Sequence, residues 1–453
     1  MSTLLQRRAY RPAVISGVMA LAWPAIVEQT LMMTVGIIDT AMVGRLGAVA
    51  LASVGLGAQV MMIAITCFAA VSTGTSALVA RFTGASEVDK ACTVARQSLL
   101  LGTLLAVIMS FFLYFNAEAI VHVLFRTSAT DVLALAVAYI KILSLSVVPN
   151  FILIIINAVL RGSGDTRTPM LVMAVVNVIN VMMNYLLIFG IGPLPRLEVR
   201  GAAIASAIAQ TCGGLIVTCI LFSGKTLIRL GIHDDYRPDF PTIRRILRIG
   251  IPAGLEQALM RAGQTIYTVI VSSLGTVAYA AHQIALNAES ISFMPGFGFA
   301  LAATTLVGQK LGAGEPREAE RAGLTAAGLA AGIMSLMGAA FFLFPALFVS
   351  IFTHDAEVLA ASAQVLRLIA LSQPFLALSM VLAGGLRGAG DTRSVMWITG
   401  FGICAVRVCL ALLFVRLGYG LFGAWMAMAI DLVFRGTACS WRFRQGRWKN
   451  TVV

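Results

Sequence analysis

One aspartate, Asp39, lies within the apolar segment Gly36–Gly44, where no other charged side chain occurs. A later apolar segment carries Asn177, Asn180 and Asn184, and their i, i+3 and i+7 spacing places all three on one face of a helix. An amide can donate a hydrogen bond to an ionised carboxylate and can accept one from a protonated carboxyl group. Because removal from water favours the neutral carboxyl form, these residues predict a group that binds and releases a proton.

Other ionisable residues inside apolar segments occur twice in matching positions. Glu28 recurs as Glu256, and Lys141 recurs as Arg367. A buried charge normally has a partner of opposite sign. We therefore predict two structural ion pairs, Glu28–Lys141 and Glu256–Arg367.

The remaining charges differ between the two halves of the chain. In the second half, Arg261 and Glu289 fall at similar depth and are predicted to pair. In the first half, Asp39 has no deep cation left to neutralise it. Charge accounting therefore selects Asp39 as the candidate ion-coupling group, with amide partners Asn180 and Asn184. Ordinary hydrogen bonds between helices are the alternative role for these amides.

A substrate cavity would need polarisable, aromatic or charged side chains at membrane depth. Methionine suits varied apolar ligands, although packing is its more common role. Tyr267 occupies the position in the second half that corresponds to Asp39 in the first. The candidates for such a cavity are Met33, Asn177, Tyr267, Glu256 and Glu289.

The elements that position these residues follow from composition. Of the 453 residues, 59% are hydrophobic and only 12% are charged, which is too little charge to cover a soluble protein. Apolar runs longer than about 18 residues recur, and that length crosses a bilayer as a helix. We predict an all-α membrane protein with twelve transmembrane helices, at 13–43, 50–81, 90–116, 131–160, 168–190, 200–222, 243–272, 278–310, 318–352, 357–386, 394–416 and 420–442. Several spans contain proline, which permits a bend: Pro24, Pro149, Pro252, Pro295 and Pro374.

An internal repeat divides the chain into two similar halves. Leu21–Met32 returns as Ile249–Met260, and Arg161–Arg167 returns as Arg387–Arg393. Six spans in each half is an even number, so both halves are predicted to insert in the same orientation, as two six-helix lobes related by a parallel repeat. The predicted boundaries are an N-terminal lobe at 1–222, a cytoplasmic linker at 223–242 and a C-terminal lobe at 243–453.

The net charge of +13 raises the alternative of nucleic-acid binding. Lys and Arg concentrate instead in the termini and the even-numbered connections between spans, which is the positive-inside pattern. This pattern predicts cytoplasmic termini and no nucleic-acid partner. The cysteines form neither a CxxC motif nor a cluster with histidine, so we expect no metal site. We also expect no resident cofactor, since no nucleotide-binding or metallohydrolase motif occurs.

The segment Gly36–Gly47 and the two Arg-Gly-x-Gly-Asp-Thr-Arg loops resemble the signatures of the multidrug and toxic compound extrusion (MATE) family. Three further segments resemble its DinF-type branch: Ala280–Asn287, Met294–Phe299 and Leu306–Ala313. The resemblance extends over essentially the whole chain. It implies a V-shaped transporter of two six-helix lobes that exports bulky, often cationic or aromatic compounds in exchange for H+ or Na+.

The resemblance also implies roles for individual residues. The coupling aspartate of helix 1 falls on Asp39, its helix-5 partners fall on Asn180 and Asn184, and a helix-4 asparagine falls on Asn157. Some prokaryotic members carry an aspartate where this chain has Asn184. Sodium-coupled members carry acids in helices 7 and 10, whereas here Glu256 has a different register and span 10 has no deep acid. These departures favour protons over sodium as the coupling ion.

The sequence therefore predicts a proton-coupled antiporter, coupled through Asp39, in the bacterial inner membrane. Its expected partners are small organic substrates and membrane lipids, and it is expected to be a monomer. A Na+-coupled antiporter and a lipid-linked oligosaccharide flippase of related fold are the alternatives within transport. A flippase would line its cavity with unpaired cations for a pyrophosphate, and a membrane enzyme would need a catalytic constellation that the sequence lacks.

Overall fold

The computed structural model describes residues 2–125, 129–190, 195–231 and 234–451, with side chains described from residue 14 onward except at position 67. The first half contains α1 (Ser2–Gly44), α2 (Ala48–Gly84), α3 (Val88–Leu124), α4 (Thr130–Ser144), α5 (Val147–Ser163), α6 (Arg167–Phe189) and α7 (Glu198–Phe222). The second half contains α8 (Phe240–Ser272), α9 (Thr276–Gly312), α10 (Pro316–Leu343), α11 (Pro345–Ser350), α12 (Ala356–Ala370), α13 (Gln373–Gly388), α14 (Thr392–Gly400), α15 (Val408–Arg416) and α16 (Gly420–Gln445).

The helices account for the predicted spans. Among the described residues, nine helices are long and apolar enough to cross a membrane, and eleven are when each of two bent pairs counts as one span. The predicted span 243–272 lies within α8, whose 33 residues are also long enough to cross, although Arg244, Arg245 and Arg248 make it less apolar. The chain is therefore a multi-pass, all-α membrane protein, as predicted.

The two bent pairs occupy matching places in the two halves. α4 and α5 meet at 55°, just before Pro149, and α12 and α13 meet at 58°, just before Pro374. A bend leaves backbone carbonyls without their helical donors. At the first bend Ser110 supplies a donor, because its Oγ donates to the carbonyl oxygen of Ser144 over 2.7 Å. Pro24, Pro252 and Pro295 lie within continuous helices instead.

The repeated Arg-Gly-x-Gly-Asp-Thr-Arg motif forms the same helix end twice. Gly164 has φ of +97° and Gly390 has φ of +86°, the left-handed conformation that glycine adopts without steric cost. The next residue then closes the last turn: the amide of Asp165 donates to Leu160 and that of Asp391 to Leu386, both over 2.9 Å. The sequence repeat is therefore preserved in backbone geometry.

Span 11 contains an irregular turn. Residues Phe401–Arg407, between α14 and α15, form a π-helix, in which each hydrogen bond closes a wider turn than in an α-helix. The corresponding helix of the first half, α6, is regular throughout. The π segment ends at Arg407, which is buried.

The described chain forms two compact units. The N-unit comprises Val27–Thr83 and Glu87–Gly250, and the C-unit comprises α1 up to Ile26, Gly84–Ser86 and the chain from Ile251 onward. The units thus separate within α1 and within α8. The lobe boundaries predicted at 222 and 243 remain a prediction.

In the N-unit, α7 packs against α6, α5 and α4, and α3 packs against α5. Phe151 of α5 lies against Gly102 of α3 at a point where any larger residue would collide with its ring. The linker docks on the same helix α3. The Gln97 side chain donates to the carbonyl of Arg237 over 2.8 Å and accepts from the amide of Asp239 over 3.0 Å.

In the C-unit, α9 is the central helix and packs against α10, α12 and α13, while α13 also packs against α16. At Gly388, α13 approaches the backbone of Thr304 in α9 closely. A Cβ atom at position 388 would collide with the Thr304 carbonyl. Trp425, Phe341 and Phe299 fill the core with fully buried rings. The C-unit therefore has its own hydrophobic core.

Candidate functional site

Asp39 and Asn184 are in direct contact within the N-unit. The Asn184 Nδ2 atom donates to Oδ1 of Asp39 over 2.5 Å, which joins α6 to α1. Asn184 is fully buried, whereas Asp39 is partly exposed. One oxygen of the Asp39 carboxylate therefore accepts a hydrogen bond from a buried donor, while the Asp39 side chain remains partly exposed.

A second amide extends this contact along α6. Asn184 Nδ2 also donates to Oδ1 of Asn180 over 2.9 Å, and Asn180 Nδ2 donates to the Ser206 hydroxyl on α7 over 3.3 Å. These bonds fix the orientation of the Asn184 amide, so that its nitrogen faces Asp39. The structure thus brings together three of the four residues predicted for ion coupling.

Asn157, Asn177 and Met33 lie elsewhere in the N-unit. Asn177 donates from Nδ2 to the backbone carbonyl of Leu31 over 2.8 Å, so it links α6 to α1 one turn or more away from Asp39. Asn157 is buried on α5 with its Oδ1 unpartnered among the described groups. Met33 is partly buried on α1. Their predicted roles in coupling or in a substrate cavity remain predictions.

Tyr139 is a neighbour of Asp39 that the sequence did not indicate. It lies on α4, is 8% exposed, and interacts electrostatically with Asp39. Its ring packs over Gly57 of α2, where a Cβ atom would collide with it. The only sequence signal was a lone tyrosine in an apolar helix, and the glycine that receives it is on another span.

The predicted Glu28–Lys141 ion pair is wrong. Arg161 Nη1 donates to Glu28 Oε1 over 2.8 Å, and Glu28 is buried at 2% exposure. Lys141 instead pairs with Glu118 over 2.9 Å, in a much more exposed position. Lys141 lies on the far side of the 55° bend from Arg161, so counting residues along one straight span misplaced it.

The predicted Glu256–Arg367 ion pair is wrong for the same reason. Glu256 receives two hydrogen bonds from Arg387, over 2.5 Å and 3.2 Å, and a third from Thr399 over 3.2 Å. Arg367 is exposed on α12, before the second bend. Arg161 and Arg387 are the first residues of the repeated loop motif, so the repeated sequence did contain the correct partners. Because its carboxylate is occupied, Glu256 fits a structural role better than the predicted place in a substrate cavity.

The predicted Arg261–Glu289 ion pair is also wrong. Arg261 is exposed, whereas Glu289 is 6% exposed and interacts electrostatically with Arg407 and Arg435. Those two arginines in turn bind Asp431 of α16. The two side chains therefore differ in burial, which counting residues from the span ends does not show.

Tyr267 is fully buried in the C-unit and belongs to an aromatic group. Its ring lies 5.6 Å from that of His282, which lies 5.6 Å from that of Trp425, both in edge-on contacts. The guanidinium of Arg407 lies 5.8 Å from the Tyr267 ring. Tyr267 therefore corresponds to Asp39 in the repeat but has a different chemical environment.

Among the residues that the structure describes, no three carboxylate, histidine or cysteine side chains lie close enough together to hold a metal ion. The expectation that the protein carries no resident metal or cofactor stays a prediction.

Two regions of the chain, residues 24–186 and 252–413, match the MatE family model. These regions coincide with the two halves of the internal repeat. The matched regions contain Asp39, Asn180 and Asn184, as well as both Glu–Arg pairs.

The chain is similar along its length to curated and solved proteins. It is 32% identical over 449 residues to a probable multidrug resistance protein NorM of Thermotoga maritima, covering 98% of this chain and 95% of the relative. It is 31% identical to the multidrug resistance protein NorM of Burkholderia vietnamiensis, covering 93% and 92%. A solved multidrug resistance MATE family transporter in an outward-facing conformation superposes with a TM-score of 0.90 at 23% identity, covering 97% of each chain.

Proposed function

The chain belongs to the MatE family, and from this we propose that it is a secondary active antiporter that exports organic, often cationic or aromatic compounds in exchange for protons. Relatives that share about a third of its residues are named as multidrug resistance proteins. We place it in the bacterial inner membrane with both termini in the cytoplasm, following the distribution of Lys and Arg.

The contact between Asp39 and Asn184 carries the proposal of proton coupling. Among the described side chains, no lysine or arginine nitrogen lies within 4 Å of the Asp39 carboxylate, so its charge is not neutralised by an ion pair. A membrane-embedded carboxylate without a cation is a group that gains from binding a proton. Protonation of Oδ2 leaves the hydrogen bond from Asn184 to Oδ1 in place, so both states are accommodated.

The sequence supports protons over sodium. Sodium-coupled members of the family carry acids in helices 7 and 10, whereas here Glu256 has a different register and span 10 has no deep acid. The hydrogen bond from Asn184 Nδ2 to Asp39 is compatible with an ionised carboxylate and with a protonated one. The Asn184 Oδ1 atom has no hydrogen-bond partner among the described groups.

Coupling then follows from the different affinities of two states. The ionised Asp39 attracts a cationic substrate, and the protonated Asp39 does not. A proton that binds from the outside therefore favours release of the substrate there. By the same linkage, substrate binding favours release of the proton.

Everted membrane vesicles test the proposal. Export of a fluorescent organic cation such as ethidium is measured while either a proton gradient or a sodium gradient is imposed. We expect uptake into everted vesicles with the proton gradient and none with sodium alone. Uptake driven by sodium at constant pH would replace the proposal with a Na+-coupled antiporter.

A further inference from the structure

Four charged side chains of the C-unit form a buried cluster, here called the C-cluster: Glu289 of α9, Arg407 of the π segment, and Asp431 and Arg435 of α16. Each of them is at most 9% exposed. Charges at such burial are retained only when neighbours compensate them, and at membrane depth they mark functional sites by default.

Asp431 is firmly held as a carboxylate. Its Oδ2 atom accepts from Arg407 Nε over 2.9 Å and lies 2.7 Å from Arg407 Nη2, while its Oδ1 accepts from Arg435 Nε over 3.0 Å. A third nitrogen of Arg407 donates to Gln264 over 3.2 Å. Two guanidinium groups therefore share one carboxylate, and the three residues Arg407, Arg435 and Asp431 have a net charge of +1.

Glu289 is the group that can balance this charge. Among the described side chains, no lysine or arginine nitrogen lies within 4 Å of its carboxylate, although it interacts electrostatically with Arg407 and Arg435. The C-cluster is neutral when Glu289 is ionised and carries one positive charge when Glu289 is protonated. Since Asp431 is bound on both oxygens, Glu289 is the carboxyl group of the C-cluster that is free to change state.

The other polar groups around Glu289 come from each packed element. Gln373 of α13 lies against its carboxyl group, and Tyr267 of α8 interacts electrostatically with it. His282 lies two turns earlier on α9 and interacts with Arg407. Within the described residues, α10 and α12 contribute no charged group to the electrostatics of Glu289.

Several of these neighbours have unsatisfied polar atoms. Both ring nitrogens of His282, the Tyr267 hydroxyl and the Trp425 indole nitrogen are buried and have no hydrogen-bond partner among the described groups. Each such group costs free energy unless water or a ligand satisfies it. Buried water with several polar partners is the ordinary solution. A hydrated polar region beside the C-cluster would let a proton reach Glu289.

We propose that Glu289 is a second proton-binding site, located in the C-unit and separate from Asp39. The proton comes from water and forms an O–H bond with one Glu289 oxygen, and the C-cluster gains one positive charge. Proton binding at Glu289 is independent of the proposed function, since it holds whether or not Asp39 couples transport.

Carbodiimide labelling of the wild-type protein tests the proposal without a variant. Dicyclohexylcarbodiimide modifies protonated carboxyl groups in apolar surroundings, and peptide mass spectrometry locates the modified residue. In lipid vesicles we expect modification of Glu289 at acidic pH and its loss at alkaline pH. Glu256 is the matched control, because the Arg387 guanidinium donates two hydrogen bonds to its carboxylate. It should stay unmodified at both pH values.

Infrared difference spectra between acidic and alkaline pH provide the second measurement. In the Asp39→Asn background we expect a protonated-carboxyl band that disappears in Asp39→Asn/Glu289→Gln. Modification of Asp39 but not Glu289, or identical spectra of the two variants, overturns the proposal. Proton-driven export by Asp39→Asn would instead overturn the proposed role of Asp39 and leave this band unchanged, so the two failures are distinguishable.

Discussion

Arg161 donates to Glu28 over 2.8 Å, and this contact joins the start of the repeated loop motif to the first span of the same half. Glu256 and Arg387 form the equivalent contact in the second half. The acid and the base both recur in the sequence repeat, so the ion pair belongs to the architecture that the two halves share. The ion-coupling candidate Asp39 has no such counterpart.

The buried pair predicts a large effect on stability. Glu28→Gln leaves Arg161 without its carboxylate, at a cost of about 3–5 kcal/mol. We expect a clearly lower thermal unfolding midpoint in detergent, and partial recovery in Glu28→Gln/Arg161→Gln because no charge is then stranded. A normal midpoint for Glu28→Gln would show that the pair is not structural.

Lys141→Gln is the matched control for this experiment. Lys141 pairs with Glu118, whose side chain is 69% exposed, and exposed ion pairs contribute little to stability because water screens them. We expect almost no change in the unfolding midpoint. A change as large as that of Glu28→Gln would favour the pairing of Glu28 with Lys141 over the contact with Arg161.

We expect the substitution Asp39→Asn to abolish the coupling of export to protons without preventing folding. The amide has nearly the volume of a protonated carboxyl group, and no ion pair among the described residues is broken. We expect a monodisperse protein that no longer exports ethidium in response to a proton gradient. Wild-type substrate affinity should rise from about pH 5 to about pH 8 as Asp39 loses its proton, and this dependence should vanish in the variant.

Glu118→Gln is the control for Asp39→Asn, since it also removes one carboxylate but at an exposed position. It should keep proton-driven export and the pH dependence of affinity. Full, pH-dependent export by Asp39→Asn would place the coupling group elsewhere in the protein.

We expect the substitution Asn184→Asp to shift the pH profile of export upward. The new carboxyl group would lie beside Asp39, where the Asn184 nitrogen now donates over 2.5 Å. Two carboxylates at this distance share one proton, because both cannot be ionised without strong repulsion. We expect the pH optimum of export to move to higher pH. Asn180→Asp, one helical turn away, should cause a smaller shift, and an equal or opposite effect would contradict the assigned geometry.

The topology predicts where reporter fusions become active. Fusions in the linker and at the C-terminus should report the cytoplasm, while a fusion after Arg196, between α6 and α7, should report the periplasm. Alkaline phosphatase and a fluorescent protein give opposite signals at each site and so control for expression. A periplasmic C-terminus would contradict the parallel arrangement of the two halves.

The predictable features are those that depend on local sequence. Span positions follow from the length of apolar runs, and the contact of Asp39 with Asn184 agrees with the one-face spacing of the α6 asparagines. The partners of Glu28 and Glu256 are not predictable by residue counting, because it assumes straight helices, whereas two spans bend by 55° and 58°. Tyr139 was missed because its approach to Asp39 depends on a glycine in another helix.

The π segment Phe401–Arg407 ends at Arg407 of the C-cluster, so it affects how span 11 responds to deletions. A π turn holds one residue more than an α turn, so removing one residue before Arg407 in this segment would restore regular α-helix. The helix on either side would keep its rotational position, and the Arg407 guanidinium would still face Asp431. Removing one residue from the regular turns of α15 would instead rotate the residues beyond it by about 100°. Span 11 should therefore tolerate a single-residue deletion within the π segment better than one within α15.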